Sequence, residues 1–221
     1  MHDEDCAVLI PAHNDDYCLD LCLEAAGRGA RRMIEDGWRG GIEIIVLENC
    51  SRDRTAEVAD WWGRRSRRAA HGPSIAAHHV PDVLNYAEGR NALMDLTSAR
   101  HLVFLDSDMV FIEERAGDIA AMTQEPERPV VTLRHCQMAG DFHHVARPYH
   151  SDRSHCYVDR GTLPDLRWRQ TGGGFLEHNY MAAASRSCRR LMIHLSLVRP
   201  DFRLVERTQG ERPYFTGDQE K

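Results

Sequence analysis

Lysine is all but missing from this chain: among 28 Lys and Arg residues the only lysine is Lys221, the last residue. That scarcity excludes a Schiff-base lysine within the fold and a phosphate loop of the Gly-Lys-Ser/Thr kind. Long apolar runs are missing as well. None approaches the ~18 residues of a membrane-spanning helix, and the N-terminal MHDEDC is acidic where a secretory signal is basic and then apolar, so a cytoplasmic location is expected. The seven cysteines (Cys6, Cys18, Cys22, Cys50, Cys136, Cys156, Cys188) are odd in number, scattered and without a CxxC pair. That pattern argues against a disulfide framework and a structural zinc site. Internal repeats and low-complexity tracts are absent. A formal charge of −6 leaves no footprint for nucleic acid, and the run Arg64 to Arg68 behind Trp61 and Trp62 reads as a solvated helix end.

What is present is the composition of an ordinary globular protein, 42% hydrophobic and 28% charged over 221 residues, enough for one large domain. The first half alternates short β-like runs with longer amphipathic segments, which predicts an α/β fold with a doubly wound sheet. Strands are expected at Ala7 to Pro11, Ile42 to Leu47, Ile75 to Val80 and His101 to Leu105. Helices are expected at Tyr17 to Glu35 with a stop at Gly37, at Asp53 to Arg68 and at Tyr86 to Ser98. Past Met109 the rhythm changes: Ile112 to Thr123 looks helical, Val130 to Leu133 a strand, and Arg134 to Gln170 a loop-rich binding surface. A last helix is expected from Ser185 to about Leu197.

The most telling stretch is LVFLDSDMVF, Leu102 to Phe111, where an apolar run breaks into Asp106, Ser107 and Asp108. Alternate residues of an extended chain share a side, so both carboxylates can address one site. Hard cations such as Mg2+ and Mn2+ prefer such oxygen ligands, completed by phosphate oxygens. Four other stretches line up with this pair. Pro11-Ala12-His13-Asn14 ends the first strand, and Glu48-Asn49-Cys50-Ser51-Arg52-Asp53-Arg54-Thr55 follows the second. Gly89-Arg90-Asn91 lies early in the helix before the aspartates, and Thr216-Gly217-Asp218-Gln219-Glu220 stands near the C-terminus. Between them, Gly172-Gly173-Gly174 would let backbone approach a ligand closely.

In this order and spacing the motifs resemble the family 2 glycosyltransferases of GT-A fold, over nearly the whole chain. The resemblance implies a single GT-A domain over 1–221 with a Rossmann-like mixed sheet, its nucleotide-sugar half near 1–110 and its acceptor half beyond. It further implies transfer of a sugar from a nucleoside diphosphate donor to an acceptor hydroxyl, with inversion and with Mn2+ or Mg2+ as cofactor. Donor contacts would come from Pro11, Ala12, His13, Asn14, Glu48, Asn49, Ser51, Asp53, Arg90, Asp106, Ser107, Gly173 and Gly174. Asp108 would hold the cation and Asp106 the ribose or the same metal, while Asp218, or Glu220 in its place, would take the acceptor's proton. The chain departs from the family pattern at Glu48 and Asn49, which replace paired aspartates, and at Cys50, which replaces a glycine.

His135, His143, His144, His150, His155 and His178 crowd the second half without a fixed ligand spacing, so no dedicated zinc site is expected. By analogy with GT-A enzymes that recruit a downstream histidine, His178 is the candidate third metal ligand. Two alternatives stand beside this reading: a nucleotidyltransferase acting on a sugar phosphate, and a catalytically inactive nucleotide-sugar-binding module.

Overall fold

The computed structural model describes residues 5–68, 72–124, 129–139, 144–148, 155–171, 176–178 and 187–194. Three strands with little polar alternation form its middle: β1 (Cys6–Ala12), β2 (Ile42–Glu48) and β4 (His101–Phe104). They are apolar on both sides because both faces of the sheet are covered. Val8, Ile10, Ile44, Val46 and Val103 enter one core, packed with Leu19 and Leu23 of α1 (Leu19–Glu35), Ala59 of α2 (Thr55–Arg68) and Ile119 of α4 (Gly117–Met122). Their neighbours Ala7, Leu9, Ile45, Leu47, Leu102 and Phe104 enter the other, with Ala87, Leu93 and Met94 of α3 (Tyr86–Asp95) and with Trp168. Period two along each strand thus builds two cores, one on each face of a doubly wound sheet.

The outer strands are β3 (Ser74–His79), β5 (Met109–Phe111), β6 (Val130–Ala139), β7 (His144–Pro148), β8 (Cys156–Asp159) and β11 (Ser187–His194). The described residues form one mixed sheet in the order β3-β2-β1-β4-β8-β6-β11-β5, with β7 on β6. β1 to β4 run parallel, and β8 joins both β4 and β6 antiparallel, so the sheet continues into the second half of the chain. β9 (Trp168–Gln170) and β10 (Leu176–His178) form a separate antiparallel pair. Chain order reverses at β1: β2 and β3 lie on one side, β4 on the other. Open α/β sheets place their ligand crevice at the carboxyl ends of strands at such a point. Pro11 sits beyond the stretch of β1 that pairs with β4, so its missing N–H removes no bond on that side.

Helix ends follow their sequence signals. Gly37 stops α1 with φ of 102°, and Asn85 with Glu88 forms a reciprocal capping box at the start of α3. Three expectations are corrected. Residues 187–194 form β11, not part of a helix: a short apolar run such as LMIH does not distinguish the two by periodicity, and pairing with β5 and β6 decides. The expected loop from Arg134 to Gln170 contains most of β6 and all of β7, β8 and β9. The helix expected over Ile112 to Thr123 is a 3-10 turn, Glu113–Arg115, followed by α4. Among the described residues no helix is long and apolar enough to cross a membrane.

α1 lies close over β5, and a Cβ added at Gly29 would stand 2.5 Å from Cδ1 of the buried Phe111. Gly29→Ala is therefore expected to lower stability by about 1–3 kcal/mol through overpacking, although helix propensity alone favours alanine by about 1 kcal/mol. A urea midpoint that rises in this variant refutes the close packing of α1 on β5.

Candidate functional site

Three turns converge at the carboxyl edge of the sheet, after β1, β2 and β4. The first two are stitched together by short polar side chains. Asn49 N–H donates to Ala12 O at 2.9 Å, and Asn14 N–H donates to Ser51 Oγ at 3.1 Å. Arg52 N–H returns to Asn14 Oδ1 at 2.8 Å, while Asp16 N–H reaches Asp53 Oδ2 at 3.2 Å. Thr55 Oγ1 accepts from Asp15 N–H at 2.7 Å and donates to Asp53 Oδ1 at 2.5 Å. Asp53 thereby joins the first turn to the start of α2. Burial opposes ionisation of its carboxyl, but the bonds from Thr55 and from Asp16 N–H hold its pKa below the usual range.

His13, Glu48 and Asn49 are all buried and engaged within this frame. His13 Nδ1 lies 2.5 Å from Asn49 O, which makes it the protonated nitrogen, and Nε2 accepts from Asn14 Nδ2 at 2.7 Å. Glu48 accepts from Ser51 N–H through Oε1 at 2.6 Å, and its Oε2 lies 3.2 Å from His79 Nδ1. His79 in turn meets Asp60 at 2.9 Å; hydrogen bonding to Asp60, then to Glu48, raises its pKa. Asn49 spans the chain with both ends of its amide, donating to Leu84 O at 2.9 Å and accepting from Leu84 N–H at 2.8 Å. An aspartate there could make only the second of these bonds.

The third turn carries the two aspartates. Met109 N–H closes it on Asp106 O at 3.0 Å. Ser107 Oγ donates to Asp15 Oδ2 at 2.5 Å, and Asp15 Oδ2 also accepts His13 N–H at 3.0 Å, so Asp15 ties this turn to the first one. Asp106 Oδ1 accepts from Tyr86 OH and from Arg90 Nη2 at 2.6 Å, while its Oδ2 accepts from His155 Nε2 at 2.7 Å. Burial alone would raise the Asp106 pKa, but His155 and then Arg90 outweigh it and hold the carboxyl well below the usual range. Asp108, 1% exposed, completes the turn.

Arg90, an expected donor contact, has a fully buried side chain. It is ringed by Tyr86, Phe104 and Trp168 at 4.7, 5.3 and 5.0 Å, with its charge directed at Asp106. Beneath the aspartates Cys18 and Cys22 are buried, and burial followed by nearby carboxylates (Asp15 first for Cys18, Asp108 first for Cys22) pushes both thiols well up. Both therefore remain thiols near neutral pH. Among the described residues no three His, Cys, Asp or Glu side chains converge as a metal cage.

Of the expected site residues, Pro11, Ala12, His13, Asn14, Glu48, Asn49, Ser51, Asp53, Arg90, Asp106, Ser107 and Asp108 gather on or directly beneath this edge. His178 lies opposite Trp168 in the β9–β10 pair. Gly173, Gly174, Asp218 and Glu220 lie outside the described residues. Sequence reasoning missed Asp15, Tyr86 and His155. Asp15 was visible beside Asn14, but nothing in the linear pattern pairs His155 with Asp106.

Among the described residues, a nine-stranded mixed sheet carries the buried aspartate pair beside its strand-order reversal. The Glycosyl transferase family 2 model matches residues 7–184, and the chain belongs to that family. Similar solved structures include S. aureus TarS 1-349 in complex with UDP-GlcNAc, at 14% identity and a TM-score of 0.60, covering 97% of this chain and 70% of that one. The mannosyltransferase PcManGT from Pyrobaculum calidifontis, in complex with GDP-Man and Mn2+, matches at 14% identity and a TM-score of 0.64, covering 97% of this chain and 59% of that one. The family match answers the nucleotidyltransferase alternative in favour of glycosyl transfer.

Cys50 takes φ of 56°, the left-handed region that costs an L-residue about 1–2 kcal/mol. Cys50→Gly should raise stability by about 1 kcal/mol, less the entropy glycine returns to the unfolded chain. A denaturation midpoint lowered by this substitution would show that the Cys50 thiol contact with Pro81 O at 3.6 Å outweighs the strain.

Proposed function

We propose that this family 2 glycosyltransferase takes a nucleoside diphosphate sugar as donor and transfers the sugar to an acceptor hydroxyl with inversion, assisted by Mn2+ or Mg2+. The observation that carries the reading is the buried Asp106-Ser107-Asp108 turn at the sheet's reversal point, within a chain of this family. The UDP-GlcNAc, and the GDP-Man with Mn2+, bound by the two similar structures support a donor of this class. In this reading the whole chain is one domain, its donor half ending near residue 110. The continuity of one sheet through β4, β8 and β6 supports that.

Asp108 would hold the cation, with Asp106 beside it. When bound, the cation stabilises negative charge on the departing nucleoside diphosphate. The turns after β1 and β2 would bind the nucleoside, their backbones fixed by the bonds of Asn14 with Ser51 and Arg52 and of Asn49 with Ala12. The acceptor oxygen forms the new bond to the anomeric carbon from the face opposite the diphosphate. The bond to the diphosphate oxygen breaks with its electron pair, and Asp218 takes the acceptor's proton, with Glu220 as its alternative.

Thermal shifts with UDP, GDP, dTDP and CDP, each with Mn2+ and with EDTA, test the donor reading. One nucleotide should stabilise the protein in a metal-dependent way, and Asp108→Ala should abolish that dependence. The absence of any shift in the native protein counts against the donor site. Asp218→Asn should keep nucleotide binding and lose about 10²–10⁴-fold in turnover. If Asp218→Asn turns over normally while Glu220→Gln does not, Glu220 is the base.

A further inference from the structure

Asp106 accepts from three side chains, which arrive from two parts of the fold. Tyr86 and Arg90 come from the first turns of α3 and bond Oδ1, and His155 comes from the residue just before β8 and bonds Oδ2. An ionised carboxylate offers about four lone-pair sites, so three donors leave about one. Its charge is already matched by the fully buried Arg90. A divalent cation brought to Asp106 would face that guanidinium.

We propose that His155 is a positioning residue for the donor site: its Nε2–H bond to Asp106 Oδ2 completes a three-donor cage that fixes the Asp106-Ser107-Asp108 turn. Asp108, which the donor-site reading assigns to the cation, follows two residues later in the same turn. This inference rests on the donor-site reading above. The geometry favours a rigid support. Cys156 pairs with Thr132 of β6, and Tyr157 with Val103 of β4, so the residue bearing the imidazole is anchored to the sheet immediately beside it. The ring itself is 3% exposed, and its distance to Asp106 is 2.7 Å. The opposite sides of the turn are held by Ser107 on Asp15 and by the weaker contact of Cys22 Sγ with Asp106 O at 3.6 Å. His155 therefore holds the turn from the β8 side. Groups that support metal-binding carboxylates in this way typically change metal affinity about 10–100-fold when removed.

The test compares His155→Gln, whose amide nitrogen can occupy the place of Nε2, with His155→Asn, whose shorter side chain cannot. The native protein and both variants are titrated with UDP and with GDP, in Mn2+ and in EDTA, and Mn2+ alone is titrated by the paramagnetic resonance of the free ion. The expected result is that His155→Asn loses about tenfold or more of the Mn2+-dependent gain in nucleotide affinity, with affinity in EDTA unchanged. His155→Gln should retain that gain. A purely structural histidine would lower the melting temperature of both variants and leave the ratio of the Mn2+ and EDTA affinities intact. Equal ratios in Asn and Gln variants would therefore overturn the proposal. If the native protein itself shows no Mn2+-dependent gain, the donor reading falls and this inference with it, an outcome distinct from a native gain that both variants share.

Discussion

The buried ion pair between Arg90 and Asp106 is the constraint around which this end of the molecule is organised. Taking both charges out of water is costly, and the cost is offset only where geometry is close and the remaining polar atoms are bonded. Both conditions are met: Arg90 Nη2 lies 2.6 Å from Asp106 Oδ1, and Tyr86 OH and His155 Nε2 complete the carboxylate. The guanidinium's faces are covered by three aromatic rings, which favour a desolvated cation. One of those rings, Trp168, is held in turn by Asn91, whose amide both donates to and accepts from its backbone. A single pair thus ties α3 to the end of β4, to the entry of β8 and to β9. Its loss on one side would leave the other as an uncompensated buried charge, the costly way to break such a bridge.

The same logic explains why the departures from the family pattern after β2 do not disrupt the edge. Glu48 is long enough to reach Ser51 N–H with one oxygen and His79 with the other, so the segment is closed by its own side chain. Asn49 has the donor that an aspartate lacks, and it uses it on Leu84 O one residue before the N-cap of α3. The turn after β2 therefore sets where α3 begins, and α3 supplies Arg90 and Tyr86 to Asp106. Cys50 is the one substitution that carries a conformational cost, because its φ of 56° suits glycine.

How much of this could be read in the sequence divides by the range of the interaction. β1, β2 and β4 were legible as apolar runs, and the aspartate pair stood out because it interrupts one of them. Capping at Asn85 and the stop at Gly37 are also local. The second half was less legible. β11 owes its conformation to pairing with β5 and β6, whose partners lie more than fifty positions earlier in the chain. His155 was one histidine among many, and its role depends on β8 running antiparallel beside β4, which no linear spacing announces. Arg90 was read as a donor contact from its place in the family motif, and nothing in the linear pattern shows the three rings from α3, β4 and β9 that enclose it.

A site whose carboxylates are already fixed has a different energetic character from one that assembles around its ligand. Here Asp106, Ser107 and Asp15 are each bonded before any donor arrives, by groups from β1, α3 and β8 and from their connecting turns. Ordering those side chains is part of folding, so it need not be repeated at the binding step, where each immobilised side chain would otherwise cost about 0.5–1.5 kcal/mol. Buried dipoles that do not reorganise are also the ones that stabilise developing charge most effectively. The polar groups that hold the edge together are thereby the source of its preorganisation, and the buried Arg90 contributes by holding Asp106 still.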